Sequence, residues 1–230
     1  MRGTGKKIDE MNRALAGKEL IGEEFTVQQA AMYEERLMQD GSHEKAEAYY
    51  TAAADEGNQE AQFNLALMYH LGTGVEKDYM KALFYYGMAA EKNNANALNN
   101  LATMYENGLG MEPDAQKALE YYLKAAEAGS ANALYTVGNQ YLKGGLLEQD
   151  DRKAAEYFMK SAEKGFEFAQ TNLGTMYYTG RGVEQSFEKA AEYYRKAADQ
   201  GYENARNVLD LWEKNGTPTP RPVTGPTAAP

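Results

Sequence analysis

The chain has 230 residues, of which 43% are hydrophobic and 25% charged, proportions that exclude wholesale disorder and a collagen-like fibre. It contains no cysteine, which removes disulfide frameworks, thiolate metal sites and a cysteine nucleophile together and fits a reducing compartment. Its 34 acidic against 24 basic residues give a net charge of −10, a sign that repels phosphate backbones and anionic lipid, so neither nucleic acid nor a membrane is an expected partner.

The first predicted element is a helix through Ile8, Met11 and Leu15, within an N-terminal extension over residues 1–24. That stretch never develops the apolar core of a secretory signal, and no run in the chain approaches the ~18 apolar residues of a spanning helix. A cytoplasmic protein is the expectation, with an extracytoplasmic one whose leader has been removed as the alternative.

From residue 25 onward the sequence repeats itself. Lys45-Ala46, Lys81-Ala82, Lys117-Ala118, Lys153-Ala154 and Lys189-Ala190 recur every 36 residues without a gap. Tyr33, Tyr69, Tyr105, Tyr141 and Tyr177 keep that spacing, as do Tyr49, Tyr85, Tyr121, Tyr157 and Tyr193, each followed by Tyr50, Tyr86, Tyr122, Phe158 or Tyr194. Such a period marks stacked units, none of which can bury its apolar face alone. The units fall at 25–60, 61–96, 97–132, 133–168 and 169–204, with a capping helix at 205–216. The predicted fold class is all-α, a solenoid of five 36-residue helix pairs.

Each unit reads as two helices. In the degenerate first copy, Thr26 and Gln29 form a capping box for the first helix. In the second copy that helix carries Ala61, Leu65, Met68 and Tyr69 on one stripe and ends at Gly72 and Gly74. Ala66, Ala102, Gly138 and Gly174 sit beside the leucine column, where a small side chain lets two helices approach and the tyrosines fill the remaining space. The second helix shows Ala82, Tyr85, Tyr86, Ala89 and Ala90 at i, i+3, i+4, i+7 and i+8, a single helical stripe. Ser42, Asp78, Asp114, Asp150 and Ser186 are its N-caps, and Gly57, Asn93, Gly129, Gly165 and Gly201 are its left-handed ends. Tyrosine in place of phenylalanine implies hydroxyls reaching backbone carbonyls or water at the edge of a thin core. The lysine column lies in a first turn, where the macrodipole disfavours a cation. Its stem is expected over the adjacent tyrosine, its ammonium on a carbonyl or carboxylate of a neighbouring loop. Trp212 departs from the pattern, as in a terminal cap. From Thr217 to Pro230, five of the six prolines fall among threonines and alanines, which predicts an extended tail or linker over residues 217–230.

Motifs that carry chemistry fail at identifiable residues. His43-Glu44 lacks the second histidine of a zinc-protease helix, and His70 is 27 residues away from His43. Gly3-Thr4-Gly5-Lys6 resembles the end of a phosphate loop, but Lys7 takes the Ser/Thr position. No serine sits in a nucleophile elbow. No catalytic residue, metal site or cofactor is therefore assigned. The candidate site comes from the helical wheel of the first helices, where a second set at i, i+4 and i+7 varies between copies: Phe63, Leu67 and His70; Asn99, Thr103 and Glu106; Tyr135, Asn139 and Leu142; Thr171, Thr175 and Tyr178. In a stacked superhelix this face lines the concave surface, and variation there is what a surface released from packing shows. Thr175→Ala is accordingly expected to cost almost nothing. The strip has no Lys or Arg, so acidic C-terminal peptides are not expected ligands. Residues 1–24 hold five basic and five acidic groups and the tail adds only Arg221, so the repeat region carries −11, which favours a basic partner. The asparagines Asn64, Asn100 and Asn172 are expected in hydrogen bonds between repeats.

The run Ala61-Gln62-Phe63-Asn64-Leu65-Ala66-Leu67-Met68-Tyr69, then Gly72-Thr73-Gly74-Val75, Asp78, Lys81-Ala82, Tyr85-Tyr86 and Ala89-Ala90, resembles the Sel-1-like repeat family, and Ala169 to Gly201 matches best. The resemblance covers about residues 25–216. It implies a right-handed superhelix of antiparallel helix pairs that acts as a non-enzymatic scaffold or adaptor, binding a protein or extended peptide in its concave groove, with a monomer expected. An alternative function, an enzyme or small-molecule binder, follows from resemblance to β-lactam-associated members, whose bridging cysteines this chain lacks.

Overall fold

Caps and apolar stripes set the architecture position by position. The structure, a computed structural model, describes residues 43–216. The expected helix through Ile8, Met11 and Leu15, the capping box at Thr26 and Gln29, the cap at Ser42 and the tail from Thr217 lie outside the described residues. Among the described residues the helices are α1 (His43–Asp55), α2 (Gln59–Leu71), α3 (Tyr79–Glu91), α4 (Ala95–Asn107), α5 (Ala115–Glu127), α6 (Ala131–Lys143), α7 (Asp151–Glu163), α8 (Glu167–Thr179), α9 (Phe187–Asp199) and α10 (Glu203–Asn215), with no strand. The even-numbered members are the first helices of successive pairs, the odd-numbered ones the second.

Asp78, Asp114, Asp150 and Ser186 each accept from free N–H groups in the first turn of their second helix, a contact of about 1 kcal/mol. Asn93 has φ 59° where the other copies place glycine, so one left-handed end is shared by two residue types. The first helices are capped as well, by Asn58, Asn94 and Ser130 at α2, α4 and α6. In the same column, Phe166 and Tyr202 precede α8 and α10 and make no side-chain capping bond.

Each extensive contact joins helices that are consecutive in the chain, so the pairs stack as an open all-α solenoid closed by α10. Leu65, Leu101, Val137 and Leu173 are a buried column of the first helices, and Ala82, Ala118, Ala154 and Ala190 are a buried column of the second. Each leucine or valine of the first column contributes about 1.5–3 kcal/mol on burial. The small-residue column fits the second helix's ring: a Cβ on Gly138 would lie 2.8 Å from the Phe158 ring, and one on Gly174 would lie 3.1 Å from Tyr194. Neighbouring pairs are stitched through helix ends. Gln62 Nε2 donates to Ala54 O at 3.0 Å, Gln170 Nε2 to Ala162 O at 3.3 Å, and Arg206 to Ala198 O at 3.3 Å. The three donors share one column and add a second hydrogen bond to helix-end carbonyls that already accept from Gly57, Gly165 and Gly201 N–H.

The lysine column departs from expectation. The ammonium sits over the face of the first-helix tyrosine, with Lys81 4.5 Å from the Tyr69 ring, Lys117 5.3 Å from Tyr105, Lys153 5.2 Å from Tyr141 and Lys189 5.1 Å from Tyr177. Its carboxylate, where one is near, is the helix's own N-cap, with Asp114 and Asp150 each 3.9 Å away. Cation–π attraction and the cap charge offset the unfavourable macrodipole. Beneath the lysine each first-helix tyrosine stacks on a second-helix one, as Tyr105 does on Tyr121 at 5.3 Å and 8°.

Candidate partner-binding face

The residues at i, i+4 and i+7 of α2, α4, α6 and α8 lie outside the buried core. Glu106, Thr175 and Tyr178 are exposed, while Phe63, Leu67, His70, Asn99, Thr103, Tyr135, Asn139, Leu142 and Thr171 are half-buried. They are not a row of free side chains. In α3, α5 and α9 the second tyrosine, Tyr86, Tyr122 or Tyr194, is long enough to bring its hydroxyl through the pair to this face. There these three phenols find side-chain partners.

In the second copy Tyr86 is fully buried, Phe63 packs on its ring at 5.8 Å, and its hydroxyl accepts from Asn100 Nδ2 at 2.9 Å. His70 Nδ1 lies 3.3 Å from the same hydroxyl. Burial pushes the Tyr86 phenol up to about 12, and burial followed by the nearby Lys77 ammonium pushes the His70 imidazole down. Asn100 belongs to the next unit, so the asparagine column makes the inter-repeat bond here. In the third copy Tyr122 donates to Glu106 Oε2 at 2.8 Å, and Thr103 Oγ1 is 3.2 Å from the phenol. Burial is the main cause that raises this phenol to about 12, against the Thr103 hydroxyl and with the Glu106 carboxylate adding. In the fifth copy Thr175 Oγ1 donates to Thr171 O at 3.1 Å and lies 2.9 Å from the Tyr194 hydroxyl, so Thr175 is a bracket and not a free lining residue.

The fourth copy has Phe158 in this column and therefore no hydroxyl to hold. Tyr135 lies 5.7 Å from Phe158, 5.2 Å from Phe166 and 6.1 Å from Phe168, and Phe168 lies 5.2 Å from Tyr202. Phe168 is 40% exposed. The patch therefore runs from α6 across α8 to the start of α10. Sequence reasoning singled out Tyr135 and missed Phe166, Phe168 and Tyr202. The signal was present: Asn58, Asn94 and Ser130 give way to Phe166 and Tyr202 in one column, and Glu60, Asn96 and Asn132 give way to Phe168 in another. Tyr178 belongs elsewhere. It stacks on Trp212 at 5.5 Å and meets Phe187 edge-on, so it helps to seat α10. The Leu142 carbonyl accepts from Arg181 and Gln149, anchoring the loops that follow α6 and α8.

Exposed aromatic faces stack on rings, proline or guanidinium groups, and the Glu106 carboxylate attracts a cation. Among the described residues no three His, Asp or Glu side chains gather as a metal site requires, and no helix is long and apolar enough to cross a membrane.

Comparison with known proteins accords with this geometry. A Sel1 repeat protein from Oxalobacter formigenes shares 38% identity with a TM-score of 0.70, over 73% of this chain and 49% of that one. A protective antigen of uropathogenic Escherichia coli strains that displays an SLR fold shares 33% identity with a TM-score of 0.69, over 75% of this chain and 37% of that one. An immunity protein from Pseudomonas aeruginosa shares 27% identity with a TM-score of 0.50, over 76% of this chain and 64% of that one. The chain thus spans half or less of the first two relatives' length. No curated protein matches it. The family model for the Sel1 repeat matches residues 30–58, 59–94, 95–130, 131–166 and 168–202; the chain belongs to the Sel1 repeat family.

Proposed function

We propose that this chain is a non-enzymatic scaffold that holds a protein or extended peptide along the first-helix face, with the array extending over residues 25–216 between the N-terminal extension and the Pro/Thr-rich tail. Repeats of this family typically build protein-interaction scaffolds. The observation that carries the reading is the aromatic patch of half-buried Tyr135, Phe166 and Tyr202 around exposed Phe168, where the other copies place capping asparagine or serine in the column of Phe166 and Tyr202 and a polar residue in that of Phe168. Aromatic side chains supply large contact area at low entropy cost, and a stable complex would bury ~800 Å² on each partner. The acidic repeat region favours a basic segment approaching that patch.

The test is affinity capture with mass spectrometry, comparing the native chain with one carrying Tyr135→Asn and Phe168→Asn. Asparagine occupies both columns in another copy, at Asn99 and Asn96, so the fold tolerates it there. Partners held by the native chain should disappear from the double variant. Identical partner sets from the two would end the assignment.

A further inference from the structure

The first-helix face gathers exposed apolar side chains at the last two first helices. Of the seven exposed large hydrophobic residues among those described, Phe168, Tyr178 and Leu211 lie on α8 and α10. Phe168 and Tyr178 fall near the two ends of one side of α8, and Leu211 occupies on α10 the column that Thr175 holds on α8. The two helices are joined at both ends of this strip, by Phe168 against Tyr202 at 5.2 Å and by Tyr178 on Trp212 at 5.5 Å. The end at the helix starts is acidic: Glu167 and Glu203 lie in the first turns of α8 and α10, next in sequence to Phe168 and to Tyr202.

We propose that this strip is covered by the chain's own tail, residues 217–230, turned back along α10. This occupant rests on the first-helix face being a binding surface, as proposed above, and gives that surface its ligand chemistry. Reach, composition and charge each select the tail. The 13 residues of α10 put its start ~20 Å from its end. Gly216 closes the helix at φ 80°, and a Cβ there would meet nothing within 4 Å, so no packing bars a reversal at that point. Pro218, Pro220 and Pro222 favour a polyproline II course, which at ~3.1 Å per residue carries Arg221 ~19 Å from Asn215 and level with Tyr202 and Glu203. Segments of this kind dock on aromatic-lined surfaces because they are already extended and lose little entropy on binding. On this course Pro218 and Pro220 pass Leu211. Arg221, the tail's only charged side chain, then reaches the aromatic and acidic end, where a guanidinium both stacks on rings and pairs with carboxylates. Short covalent attachment keeps the tail at millimolar effective concentration beside the strip, so an outside partner must displace it.

The chain has no cysteine, so a nitroxide can be placed at one site of the full chain through Thr224→Cys. Relative to the reduced label, the amide resonances of Phe168, Tyr202 and Glu203 should broaden while those of α1 and α3 stay sharp. Phe168→Asn with Leu211→Thr installs residues that Asn96 and Thr103 supply in those columns of the third copy. That pair should abolish the broadening at Tyr202 and Glu203 with an unchanged circular dichroism spectrum, and Arg221→Glu should reduce it. Absence of localised broadening in the native chain would overturn the proposal, as would broadening that is indifferent to the paired substitution or to Arg221→Glu. Broadening passed from labelled to unlabelled copies in a mixture would also overturn it, by placing the tail on another copy. The scaffold proposal fails separately: partner capture indifferent to the aromatic patch, with the broadening intact, would end that proposal and leave the tail on its strip. Sharp resonances, with capture still dependent on the patch, would end the tail assignment alone.

Discussion

The fourth copy and its neighbours solve one packing problem in two ways. In the second, third and fifth copies a buried tyrosine sends its hydroxyl to the first-helix face, where Asn100, Glu106 and Thr103, or Thr175, hold it. In the fourth copy Phe158 stops short, Gly138 admits its ring, and Tyr135 packs on it and carries the aromatic contacts outward to exposed Phe168. Presence or absence of one oxygen thus separates a polar, self-satisfied stretch of surface from an apolar one that has side chains to offer. A scaffold can keep one fold and still vary what it presents by changing a residue that is itself buried.

The largest effect tests whether Phe158 is core and not merely a missing hydroxyl. Phe158→Ala should lower stability by about 3–5 kcal/mol in a denaturant titration, the cost of an emptied aromatic site. A loss near that of a surface substitution would break the comparison, because the patch would then be supported by something other than the ring beneath it.

Alkaline pH reads the buried phenols that take the place of Phe158 in other copies. The folded phenols of Tyr86 and Tyr122 are raised to about 12, above the ordinary value near 10. A raised acid binds its proton more tightly when folded. Its stabilising contribution is therefore complete below pH ~10 and is lost as pH climbs toward 12, about 2–3 kcal/mol for each buried phenol. Stability should fall across that window, and Tyr86→Phe with Tyr122→Phe should flatten the fall. An equally steep fall in the double variant would show that other groups govern it.

The glycine beside Phe158 sharpens the same contrast. Gly138→Ala places a Cβ 2.8 Å from two ring carbons, and should cost about 1–3 kcal/mol through overpacking, although alanine is the better helix former. Thermal denaturation would show it; a stabilised variant would mean that the ring withdraws freely.

Much of this was legible in the sequence because it repeats at fixed spacing. Asp78, Asp114 and Asp150 as caps, Asn93 as a left-handed end and the alanine and leucine columns all follow from periodicity and local backbone chemistry. The face was legible only as a set of positions. Which phenol meets which partner depends on how far a tyrosine reaches across a helix pair, a tertiary distance that no stripe encodes, so the sequence shows neither the brackets on Tyr86, Tyr122 and Tyr194 nor that the Lys81 ammonium itself rests on the Tyr69 ring. Phe166 and Phe168 were passed over for another reason. They lie at a helix start, where sequence pattern signals caps and turns rather than aromatic surface, and the stacking of Tyr178 on Trp212 depends on a helix outside the regular pattern.

The smallest effect separates a bracket from a bystander. Thr175 is exposed, yet its hydroxyl donates to Thr171 O and stands 2.9 Å from the hydroxyl of Tyr194, which is 5% exposed. Thr175→Val keeps the branched shape and removes only the oxygen, so no cavity forms and the loss measures the hydrogen bonds alone. A neutral pair of this kind contributes about 0.5–1.5 kcal/mol net, and the low end applies here because water can reach the site and replace Thr175 as partner to the phenol. The same substitution with Tyr194→Phe should cost less than the two separate losses added together, since each removes one half of a shared contact. Additive losses would mean that Thr175 and Tyr194 stand side by side without acting on each other, and the fifth copy would then present as open a face as the fourth.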